Sequence, residues 1–233
     1  MRDIEFINKR KFYSDENNSE EAEHEKKKSK TDIWNGSIEQ SSIEVFKNHI
    51  YFYSGVTTKS CLKLNIELKK LSQAIIDDGK NFYDKNKYIY LHINSFGGSV
   101  FASFSTIDTI LNLPVPVISI IEGAAASAAT LISVICNYRI IYKNSFMLIH
   151  QLSSSTWGKM ADLEDEMENL KKLMENIKKI YKNNTKINEL DLDNILKHDI
   201  WWDANKCLKQ GLVDQVIKKK KLAYDFDPDN IDI

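Results

Sequence analysis

The stretch GAAASAAT, residues 123–130, lies between two strongly hydrophobic runs of the chain and is typical of a strand-to-helix junction. The hydroxyl of Ser127 would then lie at a helix N-terminus, where unpaired backbone N–H groups stabilise a developing negative charge. This position makes Ser127 a candidate nucleophile. Ordinary packing and helix capping are the alternative interpretation, because capping serines are common in α/β proteins.

Segments with strand and helix patterns alternate on both sides of this stretch. Before it, apolar runs at 45–46, 49–53, 88–93 and 117–121 indicate strands, whereas 62–76 and 100–113 indicate helices. After it, strands are predicted at 139–142, 146–150 and 212–217, and helices at 159–181, at 190–197 and between Asp203 and Gly211. The alternation predicts an α/β fold with a largely parallel sheet and covered faces.

The chain of 233 residues is expected to contain one folded domain at 43–217. Residues 1–42 form a polar N-terminal segment, and within it the almost wholly polar run at 14–31 predicts disorder. That run is interpreted as a solvated linker, with a docking role as the alternative. Residues 218–233 are predicted to form a charged, loosely ordered tail.

The composition excludes several classes of function. Lys and Arg number 32 against 33 Asp and Glu, so no global field favours nucleic acid or an acidic membrane surface. The three cysteines are far apart, which argues against a disulfide framework or a zinc cluster. No apolar run reaches the roughly 18 residues of a membrane span. We expect a soluble intracellular protein, cytoplasmic or organellar.

A serine hydrolase also needs a base, an orienting carboxylate and donors for the oxyanion. His150 follows four apolar residues and so lies at the end of a predicted buried strand, whereas His49 and His92 are interpreted as packed or edge residues. Asp199 precedes Ile200-Trp201-Trp202 and is expected to be held partly out of water. The turn containing Gly97-Gly98 can expose backbone N–H groups, although most such pairs simply turn the chain.

Four motifs occur in one order: INSFGGSV at 93–100, GAAAS at 123–127, MLIHQ at 147–151, and Asp199 followed by GLVD at 211–214. With them, the chain from about residue 90 to 217 resembles the proteolytic subunit of the ATP-dependent Clp protease. The resemblance implies a serine peptidase domain at 43–217 with the crotonase-like ββα-spiral fold. It also implies that the long helix at 159–181 projects as a handle between subunits.

The resemblance implies three sets of site residues. The catalytic set is Ser127, His150 and Asp199. The oxyanion hole would use the N–H groups of Gly97, Gly98 and Ala128. The substrate-binding set is Gly98, Ser99, Val100, Gln151, Leu152 and Ser153.

The resemblance further implies heptameric rings stacked into a tetradecamer, an AAA+ unfoldase of the Clp type as partner, and unfolded proteins and peptides as substrates. No cofactor is expected, because ATP would be used by the unfoldase and the chain has no GxxxxGK[ST] loop.

The chain departs from the family pattern at several positions. Phe96 and Leu152 stand where the family usually has proline, Ala128-Ala129 where it has Met-Gly, and His198 where it has arginine. These changes leave open a weakly active or non-catalytic subunit that forms a ring with an active paralogue. A second alternative is a crotonase-fold enzyme that acts on acyl-thioesters.

Overall fold

A computed structural model describes residues 42–78 and 87–217 of the chain. Apart from Ser42, the predicted disordered segment at 1–42 lies outside these residues, as does the predicted tail at 218–233.

The described residues form a mixed α/β structure, as the alternating pattern predicted. The strands are β1 Ser42–Phe46, β2 His49–Tyr53, β3 Ile89–Ser95, β4 Val117–Ala126, β5 Tyr138–Tyr142, β6 Phe146–Leu148, β7 Trp202–Asp203 and β8 Gln215–Ile217. The helices are α1 Thr58–Asp77, α2 Val100–Leu111, α3 Ala128–Val134, α4 Met160–Asn184, α5 Glu189–Ile195 and α6 Ala204–Lys209.

The strands form one sheet whose main path is β1-β2-β3-β4-β5-β8. From β2 to β8 each neighbouring pair on this path is parallel, and β1 pairs antiparallel with β2. β6 pairs parallel with β4 and antiparallel with the short β7. The sheet is therefore largely parallel, and the carboxyl ends of β3 and β4 meet at one edge.

β4 is twice as long as its predicted counterpart at 117–121, because it has two successive partners on one side. Its first half pairs with β5, and Ala124–Ala126 then pair with Phe146–Leu148 of β6. The alanines before Ser127 are therefore strand residues, and those after it open α3. Small side chains suit this crowded change of partner.

The helix starts are set by local hydrogen bonds. α1 begins at Thr58, four residues before the predicted start, because Thr57 and Ser60 form a reciprocal capping box. Asp203 caps α6 as predicted, accepting a hydrogen bond from the N–H of Lys206. Gly211 follows the last turn of that helix.

The core lies between the sheet and α1, α2 and α3. Fully buried aliphatic residues such as Leu64, Leu91 and Ile121 fill it. Cys61, Cys136 and Cys207 are all buried and unbridged. Burial raises the pKa of the Cys136 thiol to about 12, so this group is neutral at physiological pH.

The long helix α4 is packed only near its C-terminal end. It contains 25 residues and is about 37 Å long, but only Ile177 and Tyr181 are buried. Met160 and Met167 in its N-terminal half are 70% and 54% exposed. Within the described ranges, no helix is long and apolar enough to cross a membrane.

Arg139 connects the last strands to the ends of two helices. Its guanidinium donates to both carboxylate oxygens of Asp214, at 2.9 and 2.7 Å, and its backbone N–H also donates to Asp214. The same guanidinium donates to the backbone carbonyls of Asn184 and Val134. Burial raises the pKa of Asp214, but the hydrogen bonds and charge of Arg139 outweigh it, so the net shift is downward.

We expect Asp214→Asn to lower the free energy of unfolding at pH 7 by about 1 kcal/mol, because a bidentate charge-assisted pair is lost. A carboxylate with a lowered folded-state pKa stabilises above its unfolded value of about 3.9, and this contribution is lost as the pH falls through the folded-state pKa. Urea unfolding should therefore show a difference in unfolding free energy between the wild type and Asp214→Asn that shrinks below about pH 4. Asp108→Asn, at an exposed helical aspartate, is the control. An equal loss of unfolding free energy at pH 7 and below pH 4 would contradict the electrostatic origin.

Candidate active site

Ser127 occupies the junction between β4 and α3 in a strained conformation. Its φ is +54° and its ψ is −127°, a region that non-glycine residues rarely adopt and that costs about 1–3 kcal/mol. Its backbone N–H donates to the carbonyl of Leu148 at 2.8 Å. Its hydroxyl makes no capping bond to α3. The capping role considered as an alternative is therefore not observed in the described structure.

The Gly97-Gly98 turn approaches Ser127 on one side and Val56 on the other too closely for side chains. A Cβ atom on Gly97 would lie 2.6 Å from the carbonyl oxygen of Ala126 and 2.8 Å from Cβ of Ser127. A Cβ atom on Gly98 would lie 2.3 Å from the carbonyl oxygen of Val56. Both glycines also have positive φ. Gly97 therefore allows the turn after β3 to lie against the β4–α3 junction, and Gly98 allows the same turn to lie against Val56.

The candidate oxyanion donors differ in their hydrogen bonding. The N–H groups of Gly98 and Ala128 have no acceptor among the described residues. The N–H of Gly97 instead donates to Ser95 Oγ at 3.2 Å. Gly97 therefore fits the predicted oxyanion role less well than Gly98 and Ala128, because its donor already has an acceptor.

His150 and Asp199 form a hydrogen-bonded pair. His150 Nδ1 lies 2.8 Å from Asp199 Oδ1, although 49 residues separate them. The His150 side chain is 23% exposed, whereas that of Asp199 is 75% exposed. The expectation that Asp199 is held partly out of water is therefore wrong for this chain alone. The neighbouring Ile200 is itself 55% exposed, so this apolar neighbour in the sequence is not buried.

Ser127 and His150 line one small cleft of about 70 Å³. Its other lining residues are Gly98, Val100, Ala128, Leu131, Gln151, Leu152, Ser153, Ile177 and Tyr181. The cleft thus contains most of the predicted site residues. Asp199, Gly97 and Ser99 are not among those that line it.

Three predicted substrate-binding residues also have structural contacts. The side chain of Ser99 caps α2, accepting from the N–H of Ala102, and its own N–H donates to Val56. The N–H of Gln151 donates to the carbonyl of Leu196 at 2.7 Å. The N–H of Leu152 faces the sulfur of Met174 at 3.5 Å. Of these three residues, Ser99 is the one that fits a purely structural role.

Thr130 and Tyr181 were missed as site residues by the sequence reasoning. Tyr181 lines the cleft from α4, and its hydroxyl lies 2.6 Å from Oγ1 of the buried Thr130. A tyrosine on the apolar stripe of an amphipathic helix was the one available signal. Nothing in the sequence pairs it with a threonine 51 residues earlier.

Metal ligation finds no support in the described residues: no group of three or more His, Cys, Asp or Glu side chains is suited to hold a metal ion. The chemistry available at the cleft is that of the Ser127 hydroxyl, the His150 imidazole and backbone N–H groups, with the Asp199 carboxylate hydrogen-bonded to His150 beside it.

Comparison with known proteins gives a consistent result. A sequence model of the family described as Clp protease matches residues 70–220. The ATP-dependent Clp protease proteolytic subunit of Streptococcus mutans serotype c is 34% identical over 143 residues, which are 60% of this chain and 73% of that protein.

Two further relatives have similar names. The ATP-dependent Clp protease proteolytic subunit of Cyanophora paradoxa is 33% identical, over 57% of this chain and 70% of the relative. The ATP-dependent Clp protease proteolytic subunit 2 of Treponema pallidum is 30% identical, over 58% of this chain and 69% of the relative. The matched region contains the cleft and every predicted site residue, and the chain therefore belongs to the Clp protease family.

Proposed function

We propose that this chain is the proteolytic subunit of an ATP-dependent Clp-type protease and cleaves unfolded polypeptides and short peptides with Ser127, His150 and Asp199. The observation that carries the proposal is the cleft shared by Ser127 and His150, with His150 hydrogen-bonded to Asp199. Membership of a protease family makes the chain a serine-type endopeptidase. We assign the chemistry of that activity to this cleft.

In the proposed reaction, Ser127 Oγ attacks the carbonyl carbon of the scissile peptide bond. His150 takes the serine proton and returns it to the leaving amine. Asp199 accepts a hydrogen bond from the Nδ1–H of His150, which leaves Nε2 as the proton acceptor. A water molecule then attacks the acyl-serine ester, with His150 again acting as the base.

The tetrahedral oxyanion would be bound by the N–H groups of Gly98 and Ala128. Both are free of other acceptors among the described residues, and both line the cleft. Ala128 is also the first residue of α3, where backbone N–H groups lack helical partners. Because backbone donors serve this role, alanine in place of methionine at position 128 leaves it intact.

The peptide would lie extended between the Gly97-Gly98 turn and the exposed segment at 151–156. Residues 153–156 make no backbone hydrogen bonds to other described residues, so they can pair with an added strand. Gln151 is excluded as a backbone donor because Leu196 already accepts its N–H. Pairing through the main chain would by itself give little sequence preference, so a preference would come from the side chain that enters the cleft.

We propose that α4 is the handle that packs against a second copy of the chain. Its N-terminal half has no buried residue, and an apolar stripe there includes Met160, Leu163 and Met167. The assembly would be heptameric rings stacked as a tetradecamer on the crotonase-like scaffold. A Clp-type AAA+ unfoldase would bind ATP and deliver unfolded protein.

Two observations favour a second candidate, a weakly active ring subunit that assembles with an active paralogue. Ser127 Oγ makes no hydrogen bond to any described residue, including His150. Asp199 is largely exposed. Both observations also fit an active site that tightens on assembly or substrate binding.

We expect Ser127→Ala to reduce hydrolysis of a fluorogenic dipeptide on the order of a millionfold, because the nucleophile is removed. Labelling by a fluorophosphonate should be lost in the same variant. Ser105→Ala, which removes an exposed serine of α2, is the matched control and should keep both signals. An unlabelled wild-type ring would favour the accessory subunit, and activity that survives Ser127→Ala would exclude Ser127 as nucleophile.

The size of the cleft predicts the preferred side chain before the cleaved bond. A volume of about 70 Å³ matches about two water molecules. Val100, Leu131 and Ile177 give the cleft apolar walls. We expect kcat/KM to be about tenfold higher for peptides with alanine or valine at this position than with phenylalanine. A panel of otherwise identical fluorogenic peptides measures this, and a preference for phenylalanine would contradict the assignment.

The proposed role of α4 predicts that Met167→Glu breaks the assembly, because a charge would be buried against the second copy. Light scattering should report a large particle for the wild type and a smaller one for the variant. Asn169→Glu adds the same charge on another face of α4 and should assemble normally. A wild-type protein that remains monomeric, or equal particles for Met167→Glu and wild type, would contradict the role.

A further inference from the structure

The carbonyl of Ser127 is held by Thr130 through two hydrogen bonds. The backbone N–H of Thr130 donates at 2.9 Å and its hydroxyl donates at 2.6 Å to the same oxygen. The hydroxyl of Tyr181, on α4, lies 2.6 Å from that threonine hydroxyl. Thr130 is 0% and Tyr181 is 1% exposed, so water does not compete for these bonds.

The direction of the hydrogen bonds follows from the number of protons. The hydroxyl of Thr130 has one proton and donates it to the Ser127 carbonyl, so the Tyr181 hydroxyl must donate to Thr130 Oγ1. Burial raises the pKa of Tyr181 far above its ordinary value, which keeps this donor protonated. The three residues form one chain of hydrogen bonds, from α4 through α3 to the nucleophile.

This series of hydrogen bonds acts on Ser127, whose strained backbone conformation needs support from the surrounding structure. The positive φ of Ser127 persists only when the surrounding structure determines it. Within α3, Thr130 is a direct determinant, because it fixes the carbonyl and therefore the plane of the peptide bond between Ser127 and Ala128. That peptide bond also contains the N–H of Ala128, the proposed oxyanion donor.

We propose that Tyr181 and Thr130 are positioning residues for catalysis: Tyr181 orients the hydroxyl of Thr130, which holds the Ser127 peptide plane in its reactive orientation. The inference rests on the proposed function of Ser127 as nucleophile. It gives the C-terminal end of α4, which carries Tyr181, a role in the site that is separate from the proposed packing of the N-terminal half against a second copy.

The test compares variants that remove single hydroxyl groups. Tyr181→Phe keeps the aromatic wall of the cleft and removes the donor. We expect kcat for the dipeptide and the rate of fluorophosphonate labelling to fall by roughly 10- to 100-fold, with KM unchanged, because the reacting groups are misplaced while the cleft keeps its shape. Tyr138→Phe, which removes an exposed tyrosine hydroxyl on β5, is the control and should change neither quantity.

Thr130 supplies the second arm of the test. Thr130→Val should lose labelling rate as Tyr181→Phe does, and Thr130→Ser, which keeps the hydroxyl, should restore it. The double variant Tyr181→Phe with Thr130→Val should be labelled no more slowly than Thr130→Val alone, because both changes interrupt the same series of hydrogen bonds. If Tyr181→Phe fails to fold, the comparison of Thr130→Val with Thr130→Ser decides alone.

The outcomes separate this inference from the proposed function. Wild-type labelling with an unchanged rate in folded Tyr181→Phe and Thr130→Val would overturn the positioning role and leave Ser127 as nucleophile. A lower melting temperature with an unchanged labelling rate would assign the two hydroxyls to stability alone and would also overturn it. A folded wild type that is never labelled would overturn the nucleophile assignment, and the positioning role with it.

Discussion

The close approach of the Gly97-Gly98 turn to the β4–α3 junction is the constraint on which the candidate site depends. It requires glycine at position 97, because a Cβ atom there would lie 2.6 Å from the carbonyl oxygen of Ala126, and glycine at position 98, because a Cβ atom there would lie 2.3 Å from the carbonyl oxygen of Val56. The same approach places the N–H groups of Gly98 and Ala128 at one cleft with Ser127. Packing at the end of the sheet therefore determines the position of the backbone donors that the proposed chemistry uses.

Local patterns predicted the order of strands and helices, but not the features that depend on long-range pairing. The strand at 117–121 could be identified from its apolar residues, whereas its extension to Ala126 depends on β6, which supplies a partner for Ala124–Ala126. The capping box of Thr57 and Ser60 was a local signal that the apolar spacing obscured. Hydrophobic periodicity thus locates an element better than it locates the ends of that element.

The same distinction between local patterns and long-range contacts applies to the candidate site. Motifs predicted which residues meet, and the cleft brings Ser127, His150 and Gly98 together. The exposure of Asp199 was not predictable from its apolar neighbours, because the tertiary structure decides which of them are buried, and Ile200 is 55% exposed.

His49 and His92 lie in strands, in agreement with their interpretation as packed or edge residues, but their hydrogen-bond partners could not be predicted from the sequence. They join Glu122 in a hydrogen-bonded row across β2, β3 and β4, with distances of 2.8 and 2.7 Å, and Tyr53 also donates to Glu122. Burial, followed by the charge of His92, lowers the pKa of His49.

The replacement of the usual proline by Phe96 has two physical consequences that partly offset each other. A proline at position 96 would restrict φ before the glycine turn, and Phe96 lacks that restriction. Its ring instead meets the edge of Trp201 at 6.1 Å between centroids, an arrangement that contributes about 0.5–1.5 kcal/mol. Trp201 lies two residues after Asp199, so this contact joins the turn that bears Gly98 to the segment that bears the carboxylate. The aromatic pair thus supplies a tertiary contact between these two parts of the site, where a proline would have stiffened only the turn, and it lies beside an Asp199 whose side chain is 75% exposed.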